Sequence, residues 1–151
     1  MTIGLMNSWQ APNGLIYKLN FDGAVFADMA TFRVGAVIRN EGQVMAALSS
    51  KGPTITDSEE VEVLACRKAL EFAIEAGFSD LVIAGDSTTV MKAIHSPQCN
   101  MSRLGNVYKD IQWLLRGLRH GEISCVRWNA NSVAHSLARY ARQEDEDIVW
   151  L

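Results

Sequence analysis

Two apolar, strand-like runs in this chain each close on an aspartate. Ile16-Tyr17-Lys18-Leu19-Asn20-Phe21-Asp22 alternates with a period of two, and Leu81-Val82-Ile83-Ala84-Gly85-Asp86 is apolar up to its last residue. An acid buried at the end of an interior strand costs several kcal/mol unless it is paired or bound to a cation. Any fold of this chain must therefore bring both strand ends to a place where their charge is compensated.

A third acid is under the same constraint. Asp57 or Ser58 caps a long helix with acids in its first turn, and Gly77 ends it. At about 100° per residue, Cys66, Ala69 and Ala73 lie within roughly 40° of Glu62. Glu60, Arg67, Glu71 and Glu75 cluster on the other side. Glu62 thus sits on the face that packs on the core. A helix-start acid favoured by the dipole is the alternative reading, but Glu59 and Glu60 already fill that role. Beside Asp22 and Asp86, Glu62 reads as the third acid of one site. Three converging carboxylates read most simply as a site for divalent metal, and such sites cut or transfer phosphate esters.

The 151 residues suit one domain, and the hydrophobic content of 48% with 21% charged residues is ordinary for a globular core. No apolar run approaches the roughly 18 residues that span a bilayer, so no membrane association is expected. No signal-like segment opens the sequence. Cys66, Cys99 and Cys125 are far apart and odd in number; Cys66 and Cys125 fall among apolar residues, which predicts buried free thiols and an intracellular, reducing setting, nuclear or cytoplasmic. His95, His120 and His135 have no zinc-like spacing. The net charge of −3 conceals an asymmetry. Residues 92–142 hold eight Lys/Arg and only Asp110 and Glu122, before the acidic run Glu144-Asp145-Glu146-Asp147. A local basic surface could follow a phosphate backbone. Solvated helix faces explain the same residues equally well.

Residues 1–14 read as a leader, 15–143 as the domain and 144–151 as an acidic tail. Strands are expected at 15–22, 32–40 and 43–50, the last two joined across Asn40-Glu41-Gly42 as a hairpin. The helix from 57 follows, then a strand at 80–85. Ser87 and Thr88 open a helix to about His95, and a longer one runs from about 102 to 119. A strand at 123–128 leads to a last helix capped by Asn131, with Val133, Ala134, Leu137, Ala138 and Ala141 on its apolar face. The order β-β-β-α-β-α-α-β-α predicts an α/β fold, one mixed sheet with helices on its faces. Trp113 and Trp128 are expected in the core, with stacking on bases as the alternative that core packing outweighs, and Asp28 is a loop acid that needs no special explanation.

With these elements in place the chain resembles the ribonuclease H family, and within it the plant reverse-transcriptase-like domains found alone or at the end of retroelement polyproteins. Phe21-Asp22-Gly23-Ala24, Gly35-Ala36-Val37-Ile38-Arg39-Asn40-Glu41-Gly42, Glu62-Val63-Leu64-Ala65 with Ala69-Leu70, Ala84-Gly85-Asp86-Ser87 and Asn131-Ser132-Val133-Ala134-His135-Ser136-Leu137-Ala138 carry the likeness, over roughly 16–142. Each motif is weak alone; five in order on the right elements are specific for the fold. The resemblance implies a five-stranded sheet whose first three strands are antiparallel. It implies cleavage of the RNA strand of RNA/DNA hybrids with two Mg²⁺ ions, one on Asp22, Glu62 and Asp86, the other sharing Asp22 and using a fourth acid from the last helix. It also implies contacts to substrate near Gly23, Ser58, Ser87, Thr88 and Asn131, although Ser58 and Thr88 are equally explained as helix-start residues.

The chain departs from the family's pattern at His135, where active members carry the fourth acid. Three readings follow: His135 ligates the second ion, which favours Mn²⁺ over Mg²⁺; it acts as a base or acid; or the second ion is lost and the domain only binds nucleic acid or a protein. An ordinary exposed histidine is the bland alternative. By helical angle His135 lies near Arg139 and Arg142, away from Val133, Leu137 and Ala141, so it faces a cleft or solvent. Trp128-Asn129-Ala130 is too short for the histidine-bearing loop of many members. The segment between His95 and Arg103 is too short for the basic insertion that grips hybrid in some, so modest, salt-sensitive affinity is expected.

Overall fold

The computed structural model describes residues 15–26, 31–40, 43–52, 57–96, 103–140 and 148–150. Strands β1 (Tyr17–Phe26), β2 (Thr31–Asn40) and β3 (Gln43–Gly52) form an antiparallel meander in which Asn40 pairs with Gln43; Glu41 and Gly42 of the expected hairpin turn lie outside the described residues. Helix α1 (Ser58–Glu75) crosses to β4 (Asp80–Gly85), which lies parallel to β1. Helices α2 (Thr88–His95) and α3 (Gly105–Arg116) lead to β5 (His120–Cys125), parallel to β4. Helix α4 (Ser132–Tyr140) and a short β6 (Ile148–Trp150) complete the order β5-β4-β1-β2-β3-β6.

Alternation along the strands sets the two layers. Tyr17, Leu19 and Phe21 of β1 and Val34, Ala36 and Ile38 of β2 join the core beneath α1, with Val63, Cys66, Leu70 and Ala73 of that helix. The other face of β2 packs on α4, where Val37, Ala47 and Ala134 form a smaller apolar cluster with Leu137 against it. The approach of α4 is very close. A Cβ on Gly35 would lie 2.0 Å from the Ala134 carbonyl oxygen and 2.4 Å from the Ala138 nitrogen, so only glycine lets this helix down onto the sheet. Period-two alternation then puts Asn20 and Asp22 on the α4 side of β1.

The helix termini follow the local signals. Asp57 caps α1, accepting from the Glu60 N–H at 3.0 Å, and Ser87 caps α2 by accepting from the Val90 N–H. Gly77 takes a φ of 96° just past α1, the left-handed turn that glycine adopts without strain. Among the described residues no helix is long and apolar enough to cross a membrane.

Several expectations are corrected. The last parallel strand runs His120–Cys125 rather than 123–128. Its register is set by β4, from Asp80 opposite His120 to Gly85 opposite Cys125, and the pairing ends where β4 ends. The sheet has six strands instead of five, because Ile148–Trp150 of the expected tail pairs with β3. Alternation explains it: Val149 is buried, and Trp150 meets Tyr140 edge-on. Trp113 and Trp128 are 69% and 61% exposed, so neither is core. Trp113 lies about 200° from buried Ile111 on α3, a signal the helix angles already contained. Val133 is exposed, because Ala134 and Ala138 take the contact with the sheet. Cys66 is buried as expected, but Cys125 is exposed at the end of edge strand β5. Asp28, Cys99, the leader 1–14 and the acidic run 144–147 lie outside the described residues.

Candidate metal centre

The site lies where β1 and β4 carry their acids side by side. Asp22 projects from β1, Asp86 follows directly on Gly85 at the end of β4, and Glu62 enters from the second turn of α1. Carboxylate oxygens of the three all lie within 4.8 Å of one another. Among the described residues this is the one cluster of three or more such groups that could hold a metal ion.

Each acid is held by a defined partner. The Gly23 N–H donates to Glu62 Oε1 at 3.0 Å. A side chain at residue 23 would have its Cβ 2.6 Å from Val61 Cγ1 and 3.3 Å from that oxygen, so glycine keeps this approach open. The Asn131 amide donates to Asp86 Oδ2 at 3.1 Å and to the Phe21 carbonyl at 2.7 Å. Its own oxygen accepts from Asn20 Nδ2 at 3.0 Å. Asn131 is fully buried, and it ties the entry to α4 onto β1 and the end of β4. Asn20 was not singled out from sequence, although it shares the period-two face of Asp22, and that alternation was the available signal.

His135 meets the acids directly, with Nδ1 2.7 Å from Asp22 Oδ2. Its ring is partly buried, so the angle-based expectation of a cleft position holds and the plain exposed histidine does not. Trp128 contacts the same ring edge-on, with centroids 5.2 Å apart. Ser58 is exposed at the first residue of α1; Ser87 is used as the α2 cap; the Thr88 hydroxyl lies 3.8 Å from Cys125 Sγ.

The electrostatics are those of a site lacking positive charge. Burial, then the neighbouring Asp22 carboxylate, pushes Glu62 up to about 9. Asp86 is also raised, by burial first, against the lowering effect of the Asn131 hydrogen bond. Glu62 Oε2 is buried with no hydrogen-bond partner. Hard carboxylate oxygens, one of them buried and unsatisfied, crowded within 4.8 Å of one another fit a divalent cation. The basic stretch 92–142 is less free than its charge count suggested. Arg103 pairs with Glu60 and Asp57, and Arg119 pairs with Asp80.

Comparison with known proteins agrees with this fold. RNase H1 from the halophilic archaeon Halobacterium salinarum is similar over 85% of this chain and 98% of its own, with 27% identity and a TM-score of 0.76. The N-terminal RNase H domain of a Mycobacterium tuberculosis protein shares the fold at 20% identity, over 85% and 94% of the two chains, with a TM-score of 0.74. So does LC11-RNase H1, isolated from compost and solved with an RNA/DNA hybrid, at 16% identity over 82% and 94%, with a TM-score of 0.68. No curated protein sequence matches the chain. The sequence pattern of the reverse transcriptase-like family matches residues 20–141, most of the chain, and with this ribonuclease H fold the chain belongs to that family.

Proposed function

We propose that this chain is a metal-dependent endoribonuclease that cuts the RNA strand of RNA/DNA hybrids. The observation that carries the reading is the convergence of Asp22, Glu62 and Asp86 to within 4.8 Å on three separate elements. A solved relative of the same fold holds an RNA/DNA hybrid, which supports this substrate class. Membership of the reverse transcriptase-like family supports a place within a larger reverse-transcriptase polyprotein.

When bound, Mg²⁺ or Mn²⁺ supplies Lewis acidity at a phosphate oxygen and activation of the attacking water. The residues do the rest. Gly23 orients Glu62, and Asn131 orients Asp86, so both present oxygens to the same point. With His135 Nδ1–H donating to Asp22 Oδ2, Nε2 is the ring nitrogen left to meet substrate or a second ion. His135 thereby partly replaces the missing fourth acid, and an imidazole donor favours Mn²⁺.

One observation favours a second reading, a catalytically silent module that binds nucleic acid or a protein. His135 engages an oxygen of Asp22 that a second ion would share. Incubating labelled hybrid with the parent and with Asp86→Asn, in Mg²⁺ and separately in Mn²⁺, decides between them. Cleavage by the parent alone is expected, with faster cutting in Mn²⁺. A folded parent that cuts in neither metal leaves the silent module. A Mn²⁺-induced rise in melting temperature that Asp86→Asn abolishes tests the metal site apart from activity.

A further inference from the structure

Trp128 is the large apolar side chain that the fold leaves beside the acids. Its indole is 61% exposed, yet it is not carried on a free loop. Trp128 opens a 3-10 turn, Trp128–Asn131, in which the Ala130 N–H bonds to the Arg127 carbonyl at 3.0 Å. The turn ends on Asn131, which is fully buried and hydrogen-bonded to Asn20, Phe21 and Asp86. Only two residues therefore separate an exposed indole from the side chain that locks the site together. The ring also contacts His135, which contacts Asp22, so Trp128 is one ring contact and one hydrogen bond from the carboxylates. The residue before it, Arg127, is exposed as well.

The geometry points to Trp128 as a platform for a nucleotide of the strand being cut, adjoining the phosphate that meets Asp22, Glu62 and Asp86. The chemistry of the surface fits a nucleotide. An indole offers a flat π-face to a base or sugar without reading sequence, and the neighbouring guanidinium suits a phosphate. Contact with the cut strand follows from position, because the acids fix where the scissile phosphate lies and Trp128 is held against their histidine neighbour. Rigid attachment through Asn131 lets the platform set register instead of merely adding affinity. Trp128 supplies no proton and no metal ligand; it is a substrate-contacting residue. This inference rests on the nuclease reading above.

The test is the anisotropy of a fluorescein-labelled RNA/DNA hybrid titrated with parent, Trp128→Ala and Trp128→Phe in an Asp86→Asn background, so that binding is read without cleavage. Trp128→Ala is expected to bind about tenfold more weakly, within the range of one aromatic–base contact, and Trp128→Phe within about threefold of the parent. In chains that keep Asp86, Trp128→Ala is expected to broaden the set of cut positions, which a purely structural role would not do. Because the indole is exposed, all variants should melt close to their parents. Equal binding by the Asp86→Asn chain with and without Trp128→Ala overturns the platform and leaves the nuclease reading intact. Equal losses with Ala and Phe overturn it too, since they indicate a packing defect. Failure of both Asp86→Asn and parent chains to bind hybrid overturns the platform together with the nuclease reading.

Discussion

Replacing Glu62 by Gln should flatten the pH dependence of stability of the metal-free protein. Burial, then Asp22, raises this carboxyl from 4.5 to about 9 in the folded chain. Between those values the folded state keeps a proton that the unfolded state has released. The native state binds more protons, so stability falls as pH rises, by up to about 1.4 kcal/mol per pH unit for one group. Asp86 is raised too and adds a contribution of the same sign. Asp80 is held low, chiefly by the Arg119 hydrogen bond, so its contribution is lost only as pH falls below the ordinary carboxylate range and is flat across this window. From about pH 5.5 to 7.5 the metal-free parent should therefore lose roughly 2 kcal/mol or more through Glu62. Glu62→Gln keeps an oxygen to accept from the Gly23 N–H but has no charge to bury. It should lose that much less, and should be the more stable protein at the upper end. Saturating Mg²⁺ should reverse the ranking, since a ligand at 100 times its Kd stabilises the parent by about 2.7 kcal/mol. Urea unfolding across this range, in EDTA and in millimolar Mg²⁺, measures both effects. Both chains carry His135, so the difference between them isolates Glu62. Parallel pH profiles in EDTA would refute the reasoning.

Three further perturbations probe how the site is held. Gly35→Ala drives a Cβ into the backbone of α4, which cannot yield as a side-chain tip would; a loss of about 1–3 kcal/mol or more in thermal unfolding is expected, and a loss near zero would mean that α4 does not rest on β2 as described. Asn131→Ala removes three hydrogen bonds and leaves the Asn20 amide without its acceptor; a cost of about 2–4 kcal/mol by urea titration is expected, against under about 1 kcal/mol if the network is incidental. His135→Asp adds a fourth carboxylate to the cluster, directly against Asp22; it should lower the melting temperature in EDTA, enlarge the Mg²⁺-induced rise, and speed hybrid cleavage in Mg²⁺ about tenfold or more. An unchanged Mg²⁺ response would show that residue 135 has no part in ion binding.

Much of the architecture was legible because it depends on short-range periodicity. The alternation in 16–22, the apolar run 81–85 and the 100° wheel around Glu62 each describe a local face. Each face found the partner that its apolar side required. Placing the acids needed one more step: a buried charge must be compensated, and convergence with other acids into one site that could hold a cation is the simplest way to read three of them together. The failures at Trp128 and Cys125 share a cause. Trp128 follows a strand-like stretch, but β5 stops at Cys125 because β4 has ended, and the chain turns outward. Cys125 looks apolar in its segment and is exposed because β5 is an edge strand. Nothing local records which strand becomes an edge.

The sequence by itself determined the order of the elements from β1 to α4, the three acids and the departure at residue 135, since these are carried by residue type and spacing. Only the tertiary structure decided what His135 does with its ring. The Gly35 contact that seats α4, the bonds of buried Asn131 and the exposed Trp128 together place Nδ1 on Asp22. The Gly35 contact, the Asn131–Phe21 bond and the His135–Asp22 bond join residues about a hundred positions apart, and a distance between such positions is set by packing across the sheet, where no periodicity along the chain reaches.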